Sequence, residues 1–326
     1  IVVIGYGEQR SSDISGAVST VSVQKIKESP VANLSNTLAG RTAGVIATQP
    51  TGEPGNDNAV IRIRGAATSG GADPIYVIDG IERSASDFFQ LNANEIESVS
   101  ILKDAASAAV FGMRAGNGVV LVNTKRGREG RMQISFSGNF GIQERTREPE
   151  FLNSYEYALL RNEASENSGQ IPDYSDEDIQ KYLDGSSPDT HPDTDWFDLI
   201  RKSAPMQQYN LSATGGTEKI RYATSLSFLN QEGITPSDGF NRYNFRSNID
   251  ADVTNTTRFS FDISYRKQKR ESLGRGDELF RWLNTQPNKA PLQFSNGGVA
   301  SGPAYIALTE NGYRRNEVEA LRTRVE

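Results

Sequence analysis

The side chains that most often carry chemistry are scarce in this sequence. It has no cysteine, which excludes disulfides, Cys-ligated zinc and thiol nucleophiles. His191 is the only histidine, so a Ser-His-Asp triad or a two-histidine metal site within the chain would depend on that one residue. Because it lies between Thr190 and Pro192, we expect an exposed loop residue. An enzyme would need a carboxylate pair, as glycosidases do, and nothing places two carboxylates convincingly in one cleft. We therefore predict a protein that is not an enzyme and holds no cofactor or metal.

Two other groups of residues imitate ligand sites. The carboxylates at 173–178 could hold Ca²⁺, but the glycine and the terminal Glu of an EF-hand loop are missing. A solvated helix start capped by Ser175 is the better interpretation. Residues 2–7 imitate a dinucleotide fingerprint, yet Arg10 stands at the third glycine position and no amphipathic helix follows.

Four basic residues lie close together at Lys125, Arg126, Arg128 and Arg131. Such a cluster could attract nucleic acid. The net charge of −6 and the lack of interleaved aromatic residues favour a solvated linker instead, and we predict no nucleic-acid partner.

Residues 10–125 have the pattern of a small α+β unit. Strands are predicted at 16–23, 44–48, 60–64, 75–78, 96–102 and 118–124, and helices at 33–38 and 104–110. Asn33 is the expected N-cap of the first helix and Gly40 its end. The polar, glycine-rich stretches 49–58 and 66–73 are predicted to be exposed loops.

From Gln133 onward the pattern changes to strict alternation of apolar and polar residues. Five such runs are found, at 134–143, 209–214, 220–228, 243–253 and 259–266, and they predict five β-strands. In the fourth run Arg246, Asp250 and Asp252 share the polar face, which suits a wet lumen, while the opposite face suits lipid. A soluble sandwich would instead pack the apolar face on a second sheet.

The connections between these strands favour the membrane alternative. Strands two and three join through 215–218, and strands four and five through 254–257, whereas 145–205 and 231–242 form longer connections. Outer-membrane barrels have this asymmetry of short periplasmic turns and longer outside loops. No clear further strand is predicted in 271–326. Five strands cannot close a barrel, so we expect a longer protein.

Short motifs recur along the chain in a fixed order. They are VVIGYG (2–7), LAGRTAGV (38–45), IRIRG (61–65), YVIDG (76–80), IESV (96–99), LKDA (102–105), FG (111–112), AGNGVV (115–120), GGTEK (215–219) and QEGI (231–234). In this order, and followed by alternating strands, they resemble the SusC/RagA-type TonB-dependent transporters of the Bacteroidetes outer membrane. The resemblance covers most of the chain.

This resemblance implies an α+β plug domain followed by antiparallel transmembrane β-barrel strands, as a fragment of a 22-stranded barrel. We expect a TonB-box-like segment at 1–9, the plug at 10–130, and the first part of the barrel, with long extracellular loops, at 131–326. The implied location is the outer membrane of a Gram-negative bacterium. The implied function is TonB-dependent active import of a nutrient, an oligosaccharide or a peptide, with the plug gating the barrel.

The resemblance also implies roles for individual residues. TonB would pair by β-addition with Ile1, Val2, Val3, Ile4, Gly5, Tyr6 and Gly7. Plug loops would present Thr51, Asn56, Asp57, Thr68, Ser69 and Asp73 to the substrate. The plug's structural motifs would rest on Arg62, Arg64, Gly65, Asp79, Gly80, Lys103, Asp104, Gly112, Gly116 and Gly118, with the glycines at tight turns. The other expected partners are a SusD-like surface lipoprotein, outer-membrane lipid and a glycan or peptide ligand.

Other functions remain open at this point. The same barrel and loops would serve a passive surface-binding or adhesion protein. A TonB-dependent siderophore-type receptor would also have a plug and a barrel. A soluble enzyme of the β-sandwich type is the third alternative.

Overall fold

The computed structural model describes residues 2–4, 7–9, 18–27, 31–65, 72–104, 108–274, 276–285, 288–298 and 312–326. At the N-terminus, Val2–Ile4 (β1) pairs antiparallel with Gly7–Gln9 (β2). Residues 18–124 form an α/β unit, called the N-terminal domain below. Residues 130–325 contain long antiparallel strands, called the long-stranded sheet.

The N-terminal domain is built on a five-stranded sheet with the order β3-β8-β9-β6-β7. Its strands are Val18–Val21 (β3), Ile75–Ile78 (β6), Ile81–Arg83 (β7), Ile96–Leu102 (β8) and Val119–Thr124 (β9). A separate hairpin pairs Val45–Thr48 (β4) with Val60–Ile63 (β5). Strands β6 and β9 are parallel, and β9 is an almost continuous apolar run because both its faces are covered.

Two short helices complete this domain, Val23–Lys27 (α1) and Ala85–Phe89 (α2). The core lies between the sheet, the β4–β5 hairpin and these helices. Phe88 is fully buried there and stacks on Tyr76 with 4.8 Å between ring centroids. Truncating so large a buried ring typically costs about 3–5 kcal/mol.

The local predictions for this domain hold for the longer strands and fail for the short elements. Residues 34–38 form a 3₁₀ helix, and the Asn33 side chain does not cap it because its amide turns to Asp57. The described part of the predicted 104–110 helix is a 3₁₀ turn at Ala109–Phe111. Strand β7 and helix α2 are too short to show a periodicity and were not predicted.

The long-stranded sheet runs in sequence order from β10 to β15, each strand antiparallel to the next. Its strands are Gly130–Glu144 (β10), Ser203–Gly216 (β11), Ile220–Glu232 (β12), Gly239–Asp252 (β13), Arg258–Leu273 (β14) and Tyr313–Val325 (β15). The five predicted strands are confirmed. The expectation of no clear strand in 271–326 is wrong, because β15 pairs with β14 along its whole length. Its alternation is hidden in the sequence by Glu317 and Glu319, which share the outward face with Leu321.

The two faces of this sheet are inverted relative to a soluble protein. On one face the apolar side chains are exposed: Phe136 is 71 % and Phe140 67 % exposed. On the other face polar side chains are buried against the N-terminal domain, with Asn248 at 1 % and Arg242 at 2 %. Burying a large apolar side chain is worth about 1.5–3 kcal/mol, so the exposed face requires an apolar environment such as lipid.

Aromatic rings form a row across the exposed face. Phe136, Tyr209, Phe228 and Tyr243 come from four successive strands, and neighbouring rings lie 6.5, 6.5 and 4.8 Å apart. Cross-strand aromatic pairs stabilise a sheet and fix its register. Rows of aromatic side chains are also typical of barrel surfaces near the membrane boundary.

The predicted asymmetry of the connections is confirmed. At one end of the sheet the strands join through tight turns at 217–219 and 253–257, the short-turn end. At the other end lie three longer connections, called loop A (145–202), loop B (233–238) and loop C (274–312). Loop A contains helices Ser154–Asn167 (α3) and Asp176–Asp184 (α4), and loop C contains Gly276–Thr285 (α5). The helix capped by Ser175 is confirmed as a capping box with Asp178. Within the described ranges, no helix combines the length and apolar character of a membrane span.

Candidate functional site at the domain–sheet seam

The N-terminal domain meets the polar face of the long-stranded sheet along a continuous seam. This contact consists mainly of ion pairs and hydrogen bonds, since the inward residues of β11 to β15 are predominantly polar. Buried polar groups are costly unless they are paired. The seam therefore depends on matching partners at each point.

The turn between β6 and β7 is one such point. Asp79 and Gly80 both have positive φ, 51° and 80°, as a tight hairpin turn of the primed type requires. The Asp79 carboxylate accepts hydrogen bonds from the backbone N–H and the hydroxyl of Thr124, both at 2.8 Å, which ties the turn to the end of β9. From the sheet, Arg246 lies 3.5 Å from the same carboxylate and Arg324 donates to the Asp79 carbonyl at 2.6 Å.

Two more acids of the domain receive arginines from the sheet. Glu95 is 4 % exposed and accepts a hydrogen bond from Nε of Arg246 at 3.0 Å. Asp87, in the first turn of α2, pairs with Arg322 at 2.5 Å and with Arg266 at 3.5 Å. Ion pairs of this kind recognise a partner by geometry, and removing one member leaves an uncompensated charge.

Where the chain leaves the domain, the signs of the charges are exchanged: the linker provides an arginine and the sheet provides the carboxylates. Arg126 belongs to the linker between β9 and β10 and reaches Asp250 at 3.0 Å and Asp262 at 2.7 Å in the sheet. Burial works against its charge, but these carboxylates prevail and raise the pKa of Arg126. Asn248 donates to the Lys125 carbonyl at 2.9 Å. At Gly127 an added Cβ would lie 2.1 Å from the Tyr222 nitrogen, so the linker backbone lies directly on strand β12.

The loop between β4 and β5, called the apex loop (49–59), forms the contact nearest the long loops. Asp57 is 5 % exposed; it accepts from the amides of Asn33 and Gln231, the latter at 3.2 Å. Burial raises the pKa of Asp57. Glu53 pairs with Arg270 of β14 at 2.6 Å. The apex loop is therefore attached to the sheet at more than one point.

A cavity lies inside the seam, between β6–β7, α2 and the strands β13 to β15. Its volume is about 70 Å³, and its lining includes Asp79, Asp87, Glu95, Arg246 and Arg266. Such a volume exceeds the roughly 10–15 Å³ that one water needs. The seam is therefore mainly a polar contact with internal space, and apolar packing is limited to a small cluster of Ala32 with Met206, Leu229 and Phe240.

The structure places the predicted TonB-binding residues only in part. Val2–Ile4 is extended and paired with Gly7–Gln9; within the described residues it pairs with no other strand, which leaves one edge of this hairpin available. Ile1, Gly5 and Tyr6 lie outside the described residues. An extended segment is the property that β-addition requires.

The predicted substrate-facing residues lie in different environments. Asn56 and Asp73 are exposed and Thr51 is half-buried, whereas Asp57 is buried in the seam. Thr68 and Ser69 lie outside the described residues. Within this group, Asn56, Asp73 and Thr51 are accessible to a ligand and Asp57 is not.

Most of the predicted structural residues occupy turns. Positive φ angles are found at Arg64, Gly65, Asp79, Gly80, Gly112 and Gly118. Among the glycines of this group the exception is Gly116, which lies inside the 3₁₀ helix Met113–Asn117 instead of at a turn. Lys103 donates to the Ser19 hydroxyl and the Ala43 carbonyl, both at 2.5 Å, and so joins β3 to the residues before β4. Arg62 is exposed on β5, and the Asp104 carbonyl accepts from Ala108 at 3.1 Å.

Sequence reasoning missed most of the seam. Of its sheet-side arginines Arg246 was singled out, whereas Arg242, Arg270 and Arg322 were not. Their signal is an arginine at an inward position of an alternating strand, where a soluble protein would place an apolar residue. In the part of the chain that the structure describes, no group of three or more His, Cys, Asp or Glu side chains is arranged to hold a metal ion.

Comparison with known proteins identifies the N-terminal domain. Residues 10–119 match the TonB-dependent receptor plug domain. The chain is 38 % identical over 294 residues to TonB-dependent receptor P26 of Formosa agariphila, covering 88 % of this chain and 28 % of that protein. It is 28 % identical over 313 residues to TonB-dependent receptor SusC of Bacteroides thetaiotaomicron, covering 91 % and 30 %. The chain thus spans less than a third of the length of these relatives.

Solved structures show the same arrangement. The RagAB peptide importer in its open-open state superposes with a TM-score of 0.76 at 25 % identity, over 94 % of this chain and 38 % of that one. The ferric citrate transporter FecA superposes with a TM-score of 0.53 at 13 % identity, over 85 % and 36 %, which shows the fold alone. The N-terminal domain is a plug domain, and the long-stranded sheet corresponds to barrel wall.

Proposed function

From the premise that this chain belongs to the SusC/RagA-type TonB-dependent transporters, we propose that the whole protein actively imports a nutrient across the outer membrane. The plug acts as the gate, and TonB supplies the energy that displaces it. The observation that carries this proposal is the seam: the plug is held on the barrel wall by paired charges while the opposite face of the wall is apolar.

A polar seam suits a gate that has to open and close. Separating two apolar surfaces would cost about 25 cal/mol for each Å² exposed to water. Separating an ion pair such as Asp87 with Arg322 costs less, because each charge regains water. Loss of water is the main cost of burying such a pair. The plug can therefore be held specifically in the closed position and still be released by an external pull.

The pull would enter through residues 1–7. Their extended conformation at β1 supports strand addition to a periplasmic partner, which we assign as TonB. The first described plug strand after this segment is β3, which pairs with β8 and is the edge strand of the plug sheet among the described residues. Tension on the N-terminus thus reaches one edge of the gate.

For the ligand we propose an oligosaccharide, with a peptide as the second candidate. The peptide alternative is supported by the RagAB peptide importer, to which this chain is 25–27 % identical. Loop A carries fourteen acidic and six basic side chains, a net formal charge of −8. Such a field disfavours anionic ligands, so we expect an uncharged oligosaccharide or a neutral or cationic peptide. A SusD-like surface lipoprotein would be the partner that delivers it.

Deleting residues 1–7 in the full-length protein tests the proposal. We expect uptake of the cognate nutrient to be lost while binding at the cell surface is kept, because the deletion removes only the coupling strand. The control is deletion of the seven exposed residues 166–172 in loop A. Uptake that persists without residues 1–7 would contradict TonB coupling and favour passive surface binding.

A further inference from the structure

Loops A and C form one interlocked unit, called the outer unit below. Ser295 of loop C donates to the Asp189 carboxylate through its N–H at 2.7 Å and its hydroxyl at 2.5 Å. Thr194 of loop A donates two hydrogen bonds to loop C, its N–H to the Asn288 carbonyl at 3.0 Å and its hydroxyl to the Ala290 carbonyl at 2.9 Å. These loops are about one hundred residues apart in sequence, so their positions are linked.

A small hydrophobic core holds the outer unit together. Trp196, Phe197 and Ile200 of loop A pack on Leu279 and Leu283 of α5. The same cluster includes Leu273, the last residue of strand β14, and Ile234 of loop B packs against it. The core of the outer unit therefore rests directly on the end of the barrel wall.

Loop B connects this core to the wall through Asp238. Its carboxylate accepts from the Leu273 N–H at 3.0 Å, and its carbonyl accepts from the Gly233 N–H at 2.9 Å. On the other side, Arg201 of loop A donates its N–H to the Ile234 carbonyl at 2.7 Å. Displacement of the outer unit must therefore move loop B and the end of β14 together.

The plug apex touches the same two elements. Arg270 precedes Leu273 by three residues in β14 and pairs with Glu53 of the apex loop at 2.6 Å. Pro54 lies 3.3 Å from where a Cβ on Gly233 would stand. A Cβ on Gly55 would lie 2.4 Å from the ring of Phe240, so the apex backbone rests on the start of β13.

We propose that loop B and Arg270 form the mechanical contact through which the outer unit controls the position of the plug apex. Arg270 is a positioning residue: it acts on the gate through Glu53 and does not touch ligand. The inference rests on the proposed function, because it assigns the outer unit the role of sensing what the transporter has bound. Contiguous packing of this kind transmits displacement only where the joined elements move together, so the outer unit and the plug apex should shift together.

The experiment measures apex position in the full-length protein in detergent. One spin label is placed at Gly52→Cys, an exposed apex position with open space around it, and a second at Thr256→Cys in a short turn of the wall. Pulsed electron resonance gives the distance distribution between them. Leu279→Ala loosens the core of the outer unit, and Arg270→Gln breaks the contact with the apex.

We expect Leu279→Ala to broaden the distribution when Arg270 is present and to add no further broadening in the Arg270→Gln background. The charge-swapped pair Glu53→Arg with Arg270→Glu should restore the response. Lys267→Gln is the matched control, because it breaks an exposed pair with Glu319 on the outward face of the same strand, away from the apex and the outer unit.

Two results would overturn the proposal: broadening by Leu279→Ala of the same size with and without Arg270, or no broadening at all. If Leu279→Ala lowers the yield of folded barrel, Leu283→Val in the same core replaces it. The measurement needs neither uptake nor TonB. Loss of uptake on deleting residues 1–7 therefore tests the proposed function separately.

Discussion

Substituting Gly127 by alanine should dislodge the plug linker from the barrel wall. An added Cβ would stand 2.1 Å from the Tyr222 nitrogen, 2.6 Å from the Arg221 carbonyl carbon and 2.7 Å from the Tyr222 carbonyl carbon. Ordinary contacts begin near 3.4 Å, so the linker or strand β12 would have to move by more than an ångström. The opposing atoms are backbone in the middle of a sheet and have no rotamer to change.

The cost has two parts. Overpacking of this kind typically costs about 1–3 kcal/mol. Moving the linker also pulls Arg126 away from Asp250 and Asp262. Because 34 % of the Arg126 side chain is exposed, water replaces part of the lost contact, and we put this part at about 1–2 kcal/mol, between an exposed and a buried pair. We therefore expect plug stability to fall by roughly 2–5 kcal/mol, with the lower figure if Arg126 keeps one of its two partners.

The assay follows urea-induced release of the plug in the full-length protein, read as proteolytic cleavage of the plug while the barrel remains folded. Gly52→Ala is the matched control, because an added Cβ there meets nothing within 4 Å. If the free energy of plug release in Gly127→Ala lies within about 0.5 kcal/mol of that in Gly52→Ala, the close approach of the linker is refuted.

The remaining predictions concern single side chains. Glu95→Gln should destabilise plug docking by about 3 kcal/mol or more and couple strongly to Arg246→Gln in a double-mutant cycle, because the pair is buried. Burial raises the pKa of Asp238 to about 6, above its usual 3.8. The folded state therefore binds this proton more tightly than the unfolded state, so stability should fall as pH rises from about 4 to 6, and Asp238→Asn should abolish this change in a pH series of melting curves. Leu226→Arg on the outward face should cost about 2–4 kcal/mol of membrane insertion, seen as loss of the heat-modifiable band, whereas Ser225→Ala on the inward face should be tolerated.

The sequence was most informative where periodicity and turn chemistry act locally. Alternating runs predicted the five strands and the side on which Arg246 and Asp250 lie, because a one-residue shift would exchange the faces. Asp79 and Gly80 of the YVIDG motif have positive φ angles, which explains why residues that tolerate the left-handed region are found there.

What could not be predicted depends on contacts between distant segments. Nothing local indicates that Asp87 meets Arg322, because the partners are more than two hundred residues apart. The apex loop has the composition of an exposed loop, yet Asp57 is buried because the loop lies against the wall. Strand β15 was not predicted because charged residues occupy outward positions that normally carry apolar ones. Glu319 is accommodated at such a position because it pairs with Lys267 of β14 at 2.6 Å.

The inverted faces of the wall connect fold stability to gating. A plug held by apolar packing would fuse with the wall into one core, and displacing it would cost the hydrophobic free energy of the whole contact. The observed wall carries its exposed apolar residues on the outward face. On the inward face Met206, Leu229 and Phe240 form a small apolar cluster with Ala32 of the plug, while charged residues such as Arg246, Arg322 and Asp250 meet specific partners on the plug. The attraction within these pairs roughly balances the cost of removing the charges from water, so their net contribution is small. Each pair is nevertheless lost when one partner moves a short distance. The seam therefore fixes one position of the plug with high specificity and modest net affinity, which is the combination that a pulled gate needs.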